Sequence, residues 1–335
     1  MRVISFGEIM LRLAPEGYNR FVQASGFQAA PGGSEANVAV SLANFGVDAA
    51  FVTKLPAHEI GQLLVNGLRA FGVDTRLIVR GGERAGLYFC EKGASQRPSK
   101  VLYDRAGSAI ATADRSDFDW AGILSGADWF HFSGITPALG GNLEAILRDA
   151  LEAAKKAGCT VSCDLNYRKN LWSLERAGQV MTGLMPFVDV LIANEGQAAD
   201  LFGIRAAENG AGERAAYESV ARQLAARFGF QKVGITLRES LSASDNLWAG
   251  MLLDGGECHF SRKYALHIVD RVGGGDSFAA GLIYACLSGY EPLRAIEFAV
   301  AAGAGGHSVE GDFGHASLDE VRVLADGDGS GRVPR

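Results

Sequence analysis

The sequence predicts an α/β protein in which helices cover both faces of a mostly parallel central sheet, with a small β-sheet set apart from it. Three observations predict this. Short apolar, β-rich runs alternate with segments of helical periodicity through most of the chain, the pattern of parallel strands joined by crossover helices. Runs such as Val190-Leu191-Ile192-Ala193 are apolar without interruption, as strands buried on both faces are. Two segments, about 11–30 and 85–103, lose the strand–helix beat and alternate polar with apolar residues. Pattern alone reads these two either as a small β-lid or as surface hairpins.

Taken in order, Met1 to Glu8 lacks the apolar stretch of a signal peptide and supplies the first strand, Val3–Phe6. Further core strands are expected at Ala50–Thr53, Trp129–Phe132, Thr160–Asp164, Val190–Ala193 and Lys232–Thr236. Between them the periodicity predicts helices at Ser34–Phe45, Gly61–Phe71, Asn142–Ala157, Leu174–Met185 and Tyr217–Phe228, and a further, mostly apolar helix runs on from Phe278. The last residues, Asp326 to Arg335, are rich in Gly, Asp and Ser and read as a flexible tail.

A chain of 335 residues can bury a large core, and 48% hydrophobic with 21% charged residues is ordinary for a soluble globular protein. The net charge is −6 with no long basic run, which argues against nucleic acid and anionic membranes as partners. An anionic substrate would need a local arginine cluster. No apolar run reaches transmembrane length. The five cysteines are scattered without C-x-x-C spacing, and Cys159 and Cys163 share one face of a strand, so they read as buried thiols of a cytoplasmic protein.

The most informative stretch is Asp270-Arg271-Val272-Gly273-Gly274-Gly275-Asp276-Ser277-Phe278. Glycines before a helix let an anion approach the free N–H groups of its first turn. Asp276 would then stand beside bound negative charge, which makes sense for a base that takes a proton from an attacking hydroxyl. The alternative is a plain helix cap by Asp276 or Ser277. There is no G-x-x-x-x-G-K-[ST], and Phe278 occupies the third glycine's place in G-x-G-x-x-G, so neither a P-loop nor a dinucleotide fingerprint is present. A second motif, Pro31-Gly32-Gly33-Ser34-Glu35-Ala36-Asn37, also leads into a helix, and Asn37 offers both a donor and an acceptor for hydroxyls. Read alone, it is a loop with Ser34 as N-cap.

Together, an N-terminal G-G-x-x-x-N and a C-terminal D-x-x-G-x-G-D in one alternating chain resemble the ribokinase-like (PfkB) family of sugar kinases. Phe130-His131-Phe132-Ser133-Gly134-Ile135, Tyr103-Asp104-Arg105 and Asp164-Leu165-Asn166-Tyr167-Arg168 resemble its 2-keto-3-deoxygluconate kinase branch. The resemblance implies one kinase domain over 1–325, a three-layer fold, and a β-lid built from the segments at about 11–30 and 85–103. It implies ATP-dependent phosphorylation of the terminal hydroxyl of 2-keto-3-deoxygluconate, with Asp276 as base and Gly273, Gly274 and Gly275 as the anion hole. It places the sugar acid at Gly33, Ser34, Glu35, Ala36, Asn37, Tyr88, Tyr103, Asp104, Arg105 and Arg168. The nucleotide falls at Asn166, Asn194, Thr236, Arg238, Gly273 and Gly275. Mg²⁺ is implied, as are a monovalent cation such as K⁺ near Asp270 and a homo-oligomer through the lid. Independently, a planar arginine fork suits a substrate carboxylate, and Arg168 follows a strand end, the usual ligand side of such sheets.

The sequence departs from the family pattern in two places. Asn194-Glu195-Gly196-Gln197 has Gln where the N-x-x-E motif has its second acid, so either Glu195 or Gln197 serves the metal's water shell. Thr236-Leu237-Arg238-Glu239-Ser240 lacks the family's Gly-containing turn, and Arg238 either contacts phosphate or caps a hairpin. None of the six histidines takes a catalytic role; His131 reads as core, and His58 has at most a minor place near the sugar. The alternatives are a fructokinase or other neutral-sugar kinase, and a non-catalytic sugar or nucleotide sensor.

Overall fold

The structure is a computed structural model that describes residues 1–206 and 212–327. Its first half contains β1 (Arg2–Phe6), β2 (Met10–Ala14), β3 (Gln28–Gly32), α1 (Ser34–Asn44), β4 (Asp48–Leu55), α2 (Glu59–Ala70), β5 (Ile78–Arg80), β6 (Gly86–Glu91), β7 (Lys100–Asp104), α3 (Trp120–Ile123), β8 (Trp129–Ser133), α4 (Leu143–Ala157) and β9 (Thr160–Asp164). Then come α5 (Leu174–Leu184), β10 (Val190–Ala193), α6 (Glu195–Phe202), α7 (Glu213–Phe228), β11 (Lys232–Ser240), β12 (Asp245–Asp254), β13 (Glu257–Phe260), β14 (Tyr264–His267), α8 (Gly274–Leu287), α9 (Pro292–Gly306) and α10 (Leu318–Asp326).

The large sheet runs β13-β12-β11-β10-β9-β8-β1-β4-β5, with β14 also beside β12. From β5 to β11 every pairing is parallel; β12 pairs antiparallel with β11, β13 and β14. Strand pleating sorts the side chains into two cores. Val3, Phe51 and Ile192 join the layer of α1, α2, α8, α9 and α10, whereas Ile4, Val52 and Leu191 join the layer of α4 to α7. Burial on both faces is why these strands are mostly apolar. The helices show the complementary stripe: α4 buries Leu143, Ile146, Leu147, Ala150, Leu151 and Ala154, and Gly158 in the left-handed conformation ends it.

The antiparallel edge has no counterpart in the sequence reading. Thr236-Leu237-Arg238-Glu239-Ser240 makes no turn; β11 continues through it, with Arg238 opposite Trp248. Arg238 therefore does not cap a hairpin, whose turn lies further on between Ser240 and Asp245. The Asp270–Phe278 glycine run also differs from a loop ahead of its helix, since Gly274 and Gly275 already belong to α8. The expected tail lies outside the described residues from 328 onward, and Asp326 ends α10. No helix among the described residues is long and apolar enough to cross a membrane.

A separate four-stranded sheet, β3-β2-β6-β7, is drawn from the two segments that broke the rhythm. Its inner face sets Met10, Tyr88 and Cys90 against Val272, next to the glycines. Arg12 on β2 is buried and ion-paired to Asp270 and Asp312, both also buried, at 2.8 Å from Asp312. At the far end, the β6–β7 loop meets the β11–β12 turn: the Ala243 N–H donates to the Ser95 carbonyl at 2.8 Å, and the Ser95 N–H donates to Ser244 Oγ at 2.9 Å. Removing one partner of a buried charge cluster strands the others. Arg12→Met is therefore expected to cost about 3–5 kcal/mol of stability. Denaturant melts should show a smaller loss at acid pH, where the stranded carboxylates can take up protons.

Candidate active site

Parallel strands carry their ligands at their carboxyl ends. Here β9 ends at Asp164, followed by Asn166 and Arg168, and β10 ends ahead of Asn194 and Glu195. These residues, with Tyr103, Thr236, Arg238, Trp248, Arg271 and Gly273, Gly275 and Asp276, line a cleft of about 600 Å³. Helices α1 and α8 pack together and both begin at this edge, each after a glycine.

Gly273 caps α8 with φ +86°, a conformation that favours glycine, and any Cβ there would run into the Asp312 carbonyl. The chain so turned gives Gly274, Gly275 and Asp276 the first helical turn, where N–H groups have no partner within the helix. Gly275 has open space where a side chain would be, so an anion can reach them. Asp276 is held from α1: Ser34 Oγ donates to one carboxylate oxygen and Asn37 Nδ2 to the other, each at 2.7 Å. Asn37 Oδ1 in turn accepts from the Gly33 N–H, and Asn166 Nδ2 donates to Ser34 Oγ. The two glycine motifs therefore form one hydrogen-bonded unit. Burial pushes the Asp276 carboxyl above its ordinary range, opposed by the bonds from Ser34 and Asn37 and by the charge of Arg168.

Asp164, to which the sequence reading gave no role, also lines the cleft. Burial and then the charge of Asp276 push it up to about 7. An acid closing a buried core strand was the available signal. Asn166, just beyond, has φ +33°, an uncommon strain for a non-glycine residue of the kind that collects at functional sites. Arg271, Trp248 and His307 were also missed; Trp248 and His307 come from the antiparallel edge and the end of α9, and nothing local marks them.

Other expected contacts are placed differently. Glu35 is buried behind the cleft, where its Oε1 accepts from Ser133 Oγ (2.6 Å), the Ser133 N–H and Thr136 Oγ1 (2.8 Å), tying α1 to the end of β8. Ala36 is fully buried in the core. Their side chains do not line the cleft; from the first α1 turn, Ser34 and Asn37 lie on another face and reach Asp276 instead. Asp104 is exposed and takes Arg84 at 2.9 Å. Arg105 is buried, with its Nε on Glu8 at 2.7 Å and its guanidinium over the Tyr103 ring, so it backs the cleft wall. Tyr88 packs beneath Tyr103, ring centroids 5.9 Å apart. His58 caps α2 by accepting from the Ile60 N–H, and His131 is buried on β8. Arg168 is exposed in the cleft and has no carboxylate partner among the described residues.

On the β10 side, Asn194 Oδ1 accepts from the Gln197 N–H and Gln197 Oε1 accepts from the Asn194 N–H, a capping box for α6. Both side-chain oxygens are thereby engaged, and Glu195 presents the carboxylate of this segment to the cleft. No group of three or more potential metal ligands occurs among the described residues. Asp270 is ion-paired to Arg12 and also accepts from the Val272 and Gly311 N–H groups.

Residues 1–309 match the pfkB family of carbohydrate kinases, and the chain belongs to that family. It is 34% identical over 327 residues to the 2-dehydro-3-deoxygalactonokinase of Haloferax volcanii, covering 97% of each chain. It is 29% identical over 317 residues to the 2-dehydro-3-deoxygluconokinase of Thermoproteus tenax, covering 92% of this chain and 89% of that one. Among solved structures, the 2-dehydro-3-deoxygluconokinase of Thermotoga maritima superposes with a TM-score of 0.95 at 53% identity, over 98% of both chains. The protein is thus a carbohydrate kinase with the ribokinase-like fold, and kinases of this family use ATP with Mg²⁺.

A carboxylate held by two donors at the glycine-lined helix start predicts a sensitive variant if it serves as the base. Asp276→Asn should lower kcat by about 10²–10⁴-fold, the usual scale for losing a general base. In the wild-type enzyme, turnover should fall as pH drops through a limb lying above the ordinary carboxylate range, because the raised group must be ionised to accept the proton. Steady-state rates across pH measure both.

Proposed function

We propose that the enzyme phosphorylates 2-keto-3-deoxygluconate on its terminal hydroxyl, giving the 6-phosphate. The observation that carries this is Arg168, an unpaired guanidinium in the same cleft as Asp276. A neutral sugar has no use for it, whereas a sugar acid offers a carboxylate that matches its planar fork. The similarity to 2-dehydro-3-deoxygluconokinases supports the same substrate.

The reaction follows from the residues. Asp276, its two oxygens steadied by Ser34 and Asn37, accepts the hydroxyl proton as the hydroxyl oxygen attacks the γ-phosphorus of ATP. The N–H groups at the start of α8 meet the charge on the transferring phosphoryl group, and ADP leaves. Tyr103 and Tyr88 on the small sheet cover the sugar side and keep water from competing. Arg238 and Arg271, both without a carboxylate partner among the described residues, line the side taken by the ATP phosphates. Mg²⁺ suits this donor set through its water shell, with Glu195 as the nearby carboxylate, and when bound it neutralises phosphate charge. A cytoplasmic setting agrees with the five free thiols.

The small sheet also supports self-association. Tyr18, Val22, Phe27 and Leu102 are exposed on or beside it, Val22 to 91%. Such a patch suits a second copy of the chain. Val22→Glu should shift the solution mass measured by light scattering from dimer to monomer; an unchanged mass removes this contact.

For the substrate, a coupled assay across 2-keto-3-deoxygluconate, its galactonate epimer, fructose and ribose should give the highest kcat/KM for the gluconate acid. Arg168→Lys should cut that value by about tenfold while leaving any residual neutral-sugar rate unchanged, since Lys keeps the charge but not the fork. Turnover of fructose but of neither acid would reject the assignment.

A further inference from the structure

Arg238 is an unusual cation. Its guanidinium lies in the cleft over the Trp248 ring, 5.0 Å from the ring centre, and has no carboxylate partner among the described residues. What holds it is His307, whose Nε2 lies 2.8 Å from Arg238 Nη2. A guanidinium can only donate, so Nε2 must be the acceptor and carry no proton. The other ring nitrogen, Nδ1, lies 2.6 Å from the Gly303 carbonyl oxygen, which can only accept, so Nδ1 must carry the proton. The two contacts leave one protonation state, the neutral Nδ1–H tautomer. Burial first, and then the charges of Arg238 and Arg271, hold the ring down at about 4, so it stays neutral through the physiological range.

All of this rests on one face of α9. Trp248 Nε1 donates to the Val300 carbonyl at 3.0 Å, and Gly303 leaves room for the indole, because a Cβ there would sit 2.9 Å from its ring. His307 follows one turn further on, and its ring occupies the space beside Gly274. The platform that fixes Arg238 is therefore also in contact with the first turn of the anion hole.

We propose that His307 is a positioning residue for phosphoryl transfer: as a neutral acceptor it fixes the Arg238 guanidinium over Trp248 without cancelling its charge, which stays available to the polyphosphate of the nucleotide. A carboxylate in its place would hold Arg238 equally well but neutralise it. This rests on reading the Arg238 side of the cleft as the nucleotide side.

The test compares Arg238→Met with His307→Gln, His307→Glu and His307→Leu, reading KM for ATP, KM for the sugar acid, kcat and melting temperature. Arg238→Met should raise KM for ATP by about tenfold, the scale of a lost hydrogen-bonded charge contact, and leave the sugar KM within about twofold. His307→Gln keeps a neutral acceptor and should stay near wild type, whereas His307→Glu and His307→Leu should approach Arg238→Met. In the Arg238→Met background, the His307 changes should add nothing. If Arg238→Met leaves KM for ATP unchanged, the nucleotide-side reading fails. If Arg238→Met is impaired but the glutamate and glutamine variants have equal KM for ATP, the positioning role is overturned. That pair differs in charge and hardly in shape, so it decides the matter even where the leucine variant loses its fold.

Discussion

The Arg12 guanidinium, buried between Asp270 and Asp312, is the interaction on which the site depends. A charge that deep is tolerable only when its partners are fixed. The fixing here spans three parts of the chain: Arg12 belongs to the small sheet, Asp270 leads into the glycines, and Asp312 follows α9. Asp312 also lends its carbonyl to the space a Gly273 side chain would need. The same cluster that docks the sheet therefore sets the turn that opens the first N–H groups of α8. Its second carboxylate is held up at about 6 by burial, opposed by Arg12, which shows how little solvent reaches it.

Around that anchor, two helix starts converge on one carboxylate. Ser34 and Asn37 come from the beginning of α1 and Asp276 from the beginning of α8, so this carboxylate, the proposed base, is aligned by packing between helices far apart in sequence. Helix packing of this kind resists small displacements better than a loop would. Asp164, the third acid neighbour, is kept at about 7 partly by Asp276, so the cleft carries fewer negative charges than its carboxylates would suggest.

Much of this was legible in the chain. The mostly apolar strands and striped helices announced the layered fold, because burial on two faces favours apolar residues at those positions. The place of Asp276 and its glycines at a helix start was legible because stripped side chains ahead of an apolar helical run mark such a start. Glu35 and Ala36 misled because adjacent residues of a helical turn face different ways, and a motif names the turn without saying which residue faces the cleft. Arg105 misled for another reason: its partner Glu8 lies on the loop after β1, and no spacing in the sequence reveals such a pairing. The β11–β12 extension stayed hidden because Arg-Glu-Ser suits a turn locally, and only its pairing with β12 makes it strand.

The unpaired arginines of the cleft have an effect beyond contact. The chain as a whole is negative, at −6, yet Arg168, Arg238 and Arg271 line the cleft without an ion-paired carboxylate among the described residues, beside Asp164, Glu195 and Asp276. An approaching anion is repelled by most of the surface and drawn only where these charges dominate. With screening lengths of about 8 Å at physiological salt, that attraction reaches little further than the mouth of the cleft. The arginines thus give the cleft an attractive doorway for negatively charged reactants. The same doorway slows the exit of a product that carries more charge than the sugar that entered.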